Sequence, residues 1–359
     1  MMLPGLARLW RDAHTLQLGL DPTLAVLLDV ADIRSARLLD LLAGDQPERV
    51  VLTRARRLGI DPDHARAVLD TLHAAGLVVG AHTLLPPQLP DARRQRLTGE
   101  AVALALRAVE AVRSRAGHRP PAQVLRRRAA ARVVVTGRGR LAAPLAVALA
   151  QSGVGHVHAD VSGRVAAAEL GGGPLAADDV ERPLREAIAD AVTRAAPDTR
   201  THPVRRGAAA LVVQLAYEQP VALLAAGHRQ RRQPHLAVTV REGTAIVGPF
   251  VPPTGGPCLN CLDLHRRDRD PAWPRLGAQL NAAVGQPCTA ATALAATGYA
   301  TNEALVHLDG GTPQTVGAAV EIDGAGRIRR RAWPPHPACG CTGRRTDAST
   351  GGRVHRRGQ

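Results

Sequence analysis

The sequence contains no lysine; all 46 of its basic residues are arginine. That excludes a catalytic lysine from anything the chain does. Aromatic residues make up only 2%, so the apolar fraction of 45% is mostly Ala, Leu and Val, still ample for a real core. No run reaches the roughly 18 apolar residues a membrane-spanning helix needs, which argues against a membrane protein. Met1 to Trp10 lacks a basic segment followed by an apolar stretch, so no signal peptide is read and the expected location is the cytoplasm.

The net charge of +15 invites a nucleic-acid reading. The charge is uneven, however. Residues 1–80 hold nine Arg against ten Asp and Glu. The excess lies in Arg126 to Arg132, Arg205 and Arg206, Arg229 to Arg232, Arg327 to Arg331 and the tail. Scattered arginine pairs read as solvated surface. A DNA-binding role is disfavoured where phosphate neutralisation has no basic face to draw on. The five cysteines are an odd number. In a reducing compartment, four of them in two close pairs indicate a metal rather than disulfides.

At 359 residues the chain suits two domains. Residues 1–80 read as a small α+β unit: "LQLGL" and "AVLLDV" as strands, then three helices. The last helix is capped by Asp61, with Pro62 at its first position and Gly76 at its end. "LVVG" would form a wing strand, making a winged-helix-like domain. Residues 81–130 read as a linker ("LLPPQLP"), a helix ("GEAVALALRAVEAVRSRAG") and a second connector ("HRPPAQVLRRRAAA"). Residues 131–341 alternate strands with helices, which predicts an α/β fold: a doubly wound, mostly parallel, Rossmann-like sheet. It closes with an antiparallel hairpin, "TVGAAVEID" and "RIRRRAW". The Gly/Arg/Thr-rich residues 342–359 read as a disordered tail.

Two motifs carry chemistry. Gly137, Gly139 and Ala142 fit G-x-G-x-x-A between a strand and a helix, where small residues let a phosphate approach free backbone N–H donors. Asp160 ends the next strand, where an acid can hold a ribose hydroxyl. The glycines equally permit tight helix–strand packing. The second motif is the cysteine set. Cys258 and Cys261 form C-L-N-C, and Cys339 and Cys341 form C-G-C about eighty residues on. Such pairs suit a closed tetrahedral zinc site of structural kind. The single residue inside the second pair is tight, which leaves His336 or His265 as substitute ligands. Cys288, at the expected start of a helix, is read as a small core residue, with a nucleophile as the alternative.

This order of features resembles the ThiF/MoeB superfamily, enzymes that adenylate the C-terminus of ubiquitin-like and sulfur-carrier proteins. The likeness runs from about Arg132 to Cys341. It takes in "LAQSGVGHVHAD", "GTAIVGPFVPPTGGPCLNCLDL" and "AATALAATGYATNEALVHLDG". "GGPCLNCL" is similar to that family's zinc knuckle. Residues 1–80 resemble the leader-peptide-binding module fused to ThiF-like proteins of thiazole- and oxazole-forming peptide pathways. The resemblance implies a precursor peptide, a partner cyclodehydratase, a homodimer, a structural zinc and an ATP site.

The departures matter as much. Ser162 stands where the family has a second aspartate. "RVAAAELGGG" lacks the Asn-Leu-x-Arg-Gln segment, and the acid after the central strand has no counterpart but Glu218. Adenylation needs Mg²⁺ and cations on the transferring phosphates. Arginines such as Arg138, Arg140 and Arg164 are candidates to stand in for the cations, but the metal carboxylate is also absent. The reading is therefore a non-adenylating member that presents a leader peptide to a modifying enzyme. Its alternative is an active adenylyltransferase. An NAD-dependent oxidoreductase lacks any acid or base for hydride transfer.

Overall fold

A computed structural model describes residues 1–21, 25–29, 33–44, 46–113, 119–204, 209–216, 219–282 and 287–342. The predicted tail, Arg205 and Arg206, and Glu218 lie outside them. The chain divides into two compact units. One comprises 1–131 with 149–156 and 195–200; the other holds the rest.

The first unit begins with three short strands: β1 (Arg8–Trp10), β2 (Thr15–Leu18) and β3 (Val26–Asp29). They form an antiparallel sheet in the order β1-β2-β3. Along β2 the alternation is strict: Leu16 and Leu18 are buried while Thr15 and Gln17 face outward. Then come α1 (Ile33–Leu41), α2 (Glu48–Arg57) and α3 (Pro62–Ala74). The Asp61 carboxylate accepts from the backbone N–H groups of Asp63 and His64 at 3.0 and 2.9 Å, the cap its sequence predicts. Buried Leu38, Leu39, Leu69 and Leu72 unite these helices with the sheet in one apolar cluster.

Two expectations here need correction. "LVVG" does not form a strand. Val78 makes a single antiparallel bridge to Met2, and the Met1 ammonium donates to the Val79 carbonyl at 2.7 Å. The pairing is cut short by α4 (Ala81–Leu84), which follows at once. "HRPPAQVLRRRAAA" is likewise no plain connector. After α5 (Asp91–Arg113) it folds as α6 (Pro121–Ala130), with Pro121 at its first position. A proline there costs no hydrogen bond, because that N–H would be unpaired anyway. Inside α6, Arg128 is 1% exposed and donates to Glu100 at 2.7 Å and to the Ser152 carbonyl at 3.0 Å. Gly155 passes so close that a Cβ would meet the Ala129 carbonyl oxygen at 1.9 Å, so only glycine fits.

The second unit carries a seven-stranded sheet. Its elements are β4 (Arg132–Thr136), α7 (Ala142–Gln151), β5 (His156–Asp160), α8 (Leu184–Ala195), β6 (Leu211–Gln214), α9 (Val221–Gln230), β7 (His235–Arg241) and β8 (Thr244–Val251). They continue through α10 (Leu259–Arg269), α11 (Trp273–Ala282), α12 (Ala290–Leu308), β9 (Ala318–Ile322) and β10 (Ile328–Ala332). The strand order is β10-β9-β8-β7-β6-β4-β5. β4, β6 and β7 run parallel, and every residue of β6 is buried, as a parallel strand covered on both faces should be.

The antiparallel part is larger than the closing hairpin alone. The turn Glu242–Gly243, with φ of +48° and +81°, reverses the chain so that β8 also runs against β7. Helix α12 packs across β6, β7, β8 and β9. Its buried face is small, with Ala293, Ala296, Ala300 and Ala304, which lets the helix approach closely. Within that face Glu303 is 1% exposed and accepts from both the N–H and the hydroxyl of Thr315, at 2.8 and 2.6 Å. The architecture is thus α/β, with a separate small antiparallel sheet. Among the described residues, no helix is long and apolar enough to cross a membrane.

Candidate metal centre and glycine loop

β8 ends at Val251, and the turn Pro252 to Pro257 delivers Cys258 and Cys261 to the start of α10. The chain beyond β10 returns Cys339 and Cys341 to the same place. The four ligand sulfurs lie within 4.8 Å of one another. Cys258 and Cys339 Sγ are 3.7 Å apart, and Cys261 and Cys341 Sγ are 3.2 Å apart. Ligands at about 2.3 Å from one tetrahedral ion stand about 3.8 Å from each other, so the donor set fits a thiolate-bound metal. Three of the four cysteines are buried.

The surroundings favour the thiolate of Cys339 and oppose those of Cys258 and Cys341. The Asn260 side-chain amide donates to Cys339 Sγ at 3.2 Å, and the His336 backbone N–H to Cys261 Sγ at 3.4 Å. Burial opposes ionisation of Cys339, but the hydrogen bonds from Asn260 and the neighbouring thiols outweigh it and draw its pKa down to about 7. Burial pushes the Cys258 thiol up to about 11, and it raises Cys341 as well. A bound divalent cation reverses that penalty.

His336 and His265, considered above as substitute ligands, are otherwise engaged. His336 accepts the Ala338 N–H at Nδ1, 3.1 Å away, so its Nε2 carries the proton shared with Asp268 at 2.8 Å. His265 Nε2 faces the Pro334 carbonyl at 3.0 Å. Both fasten the closing segment to α10. Of these supports, Asn260 was visible between the two cysteines of C-L-N-C. Asp268 was not, because its partner lies 68 residues away in sequence.

At the other end of the parallel strands the glycine loop follows β4. Gly137 and Gly139 adopt φ of +104° and +128°, as the motif requires. A Cβ at Gly137 would meet the Ala216 carbonyl at 2.5 Å, and that same oxygen accepts the Arg138 N–H at 3.0 Å. The first glycine therefore serves packing against the end of β6. Ala142 opens α7 and is buried; Asp160 is exposed at the end of β5.

Two of the three arginines considered above donate to backbone carbonyls. Arg140 donates to the Cys288 carbonyl at 2.6 Å and to the Gly171 carbonyl. Arg164 donates to the Glu181 carbonyl. Cys288 is not within the first helical turn: Thr289 caps α12, accepting from Thr292 N–H at 3.1 Å. Among the described residues, the groupings able to hold a metal are the four cysteines and the His265–Asp268–His336 set; neither includes Asp160.

No family model matches the chain, and no curated protein matches it in sequence. Solved structures do. E. coli MccB superposes with a TM-score of 0.66, covering 96% of this chain and 99% of that one at 13% identity. The chain has the MccB fold. MccB is described as a microcin C7 biosynthetic enzyme and has been solved with N-formylated MccA and with ATP. PaaA shares the fold, with a TM-score of 0.65 at 14% identity over 91% of this chain and 98% of that one. The α/β architecture expected from the sequence, with its mostly parallel sheet and a separate small N-terminal sheet, is thus shared with these structures along nearly the whole length.

Proposed function

We propose that this chain is a peptide-binding protein of the MccB fold that does not adenylate its ligand. In this reading residues 1–80 form the peptide-recognition module, 81–130 connect it, and 131–341 form the ThiF-like domain. Zinc held by Cys258, Cys261, Cys339 and Cys341 supplies a structural cross-link. The peptide is a leader or precursor, the partner is a modifying enzyme of the cyclodehydratase type, and the protein acts as a homodimer in the cytoplasm.

One observation carries the peptide half of the reading. The order β1-β2-β3 leaves the outer edges of β1 and β3 without a strand partner among the described residues. Leu9, Trp10 and Leu27 beside those edges are exposed. An extended peptide adds to such an edge through main-chain hydrogen bonds, with apolar side chains supplying specificity. That MccB has been solved with a peptide supports the same role. The non-adenylating half rests on the absent lysine and on Arg140, whose guanidinium is committed to backbone carbonyls.

The test is fluorescence anisotropy with labelled short peptides, taken from any small open reading frames flanking the gene, using the full chain without ATP. Saturable binding is expected, weakened by Leu27→Glu and unchanged by adding ATP. Binding that requires ATP, or that is indifferent to every substitution in β1 and β3, would contradict the proposal.

A further inference from the structure

A second concavity lies beside the cysteine cluster, at the opposite end of the sheet from the glycine loop. The register establishes this. His235 opens β7 and pairs with Val212 and with Val251, the last residue of β8, whereas Gly137 follows the final residue of β4. The cleft encloses about 450 Å³ between the end of α9 and the turn after β8. That is the size of a small-molecule site.

Cys258 and Cys341 of the cysteine cluster form one side of its wall, and among the described residues no Asp or Glu lines it. Arg229 and Arg232 line it too; both are exposed, and among the described residues neither side chain has a hydrogen-bond or ion-pair partner. Behind them stand His228 and His235, 8% and 2% exposed, their rings stacked with centroids 4.1 Å apart. His235 Nδ1 lies 3.1 Å from the Gln233 carbonyl, so Nδ1 bears the proton and Nε2 is an acceptor. The Nε2 atoms of both rings are buried and without a partner. Leaving such a group unpaired costs free energy, so each calls for a partner, and a ligand in the cleft would supply one. Ala225, Val251 and Pro252 complete the wall with apolar surface.

We propose that this cleft binds a small organic oxyanion, a carboxylate or phosphate on a compact apolar body. Arg229 and Arg232 hold the anionic oxygens, Ala225 and Val251 cover the body, and the His228–His235 pair forms a neutral polar floor. A guanidinium presents two parallel donors to either oxyanion, which is why the two sources share a site. Nothing in this argument depends on peptide binding at the N-terminal sheet or on adenylation, so the two proposals stand or fall separately.

The experiment is isothermal titration of the full-length, zinc-replete protein with N-acetylalanine and, separately, with inorganic phosphate. At least one is expected to bind saturably and more weakly as salt rises. Arg229→Gln with Arg232→Gln should weaken that affinity about tenfold or more, the usual cost of losing charge-assisted hydrogen bonds. Thr254→Trp fills the cleft but leaves both arginines in place, and it should abolish binding while zinc content stays at the wild-type level. Binding of one probe alone identifies the headgroup. Saturation by neither probe, or equal affinity in the arginine and Trp variants, would overturn the proposal.

Discussion

At the scale of single residues, the stacked pair His228 and His235 has a measurable consequence. Burial first, then the neighbouring charges of His235 and Arg231, holds the pKa of His228 down to about 3; burial holds His235 down to about 4. Both lie below the ordinary 6.5, so the folded state refuses protons that the unfolded chain accepts. Their contribution to stability is complete above pH 6.5 and is lost as pH falls toward 4 and 3. Each histidine adds a slope of about 1.4 kcal/mol per pH unit within that window. Urea unfolding between pH 7 and pH 5 should show the loss, and a variant with His228→Leu and His235→Leu should show a flatter dependence. An identical slope in that variant would mean that the rings are not buried as described. Neither ring was legible in the sequence. They lie seven positions apart, on a helix and on the next strand, and only the fold stacks them.

At the scale of elements, the four-cysteine site joins segments that the sheet alone does not hold. β10 is an edge strand, exposed at all five positions, and pairs only with β9. Beyond it, Cys339 and Cys341 lock onto the start of α10, and His336 adds its bond to Asp268. Metal removal should therefore loosen the β9–β10 end before the parallel strands. Chelation under reducing conditions is expected to lower the thermal midpoint by about 10 °C or more, since structural zinc contributes several kcal/mol to folding. Hydrogen exchange should then rise first in residues 318–341. Uniform exchange across β4, β6 and β10 would count against the stapling role.

This end of the molecule could be read from the sequence because paired cysteines in Gly/Pro-rich turns are a local signal. The glycine loop and the strands β4 to β8 were equally plain, since an all-apolar run such as "ALVVQLA" has few other uses. Other elements were not. "LVVG" has strand composition, but it makes only the Val78–Met2 bridge and the hydrogen bonds flanking it before α4 begins at Ala81. The Pro-Pro of "HRPPAQVL" suggested a connector, yet its second proline sits at the one helical position that tolerates it. The occupation of Arg140 by Cys288 and Gly171 spans 148 and 31 residues and has no local signature.

At the scale of the whole molecule, the chain matches MccB over 96% of its length at 13% identity, so the fold is shared. The proposal that the chain does not adenylate rests on the absence of lysine and on Arg140, which donates to backbone carbonyls. The measurement that bears most directly on this is ATP–pyrophosphate exchange, run with magnesium and a peptide that binds in the anisotropy assay. The account predicts no exchange above that of an Asp160→Ala variant, although the peptide binds. Peptide-dependent exchange in the wild type that disappears on Asp160→Ala would contradict it and make the chain a working adenylyltransferase.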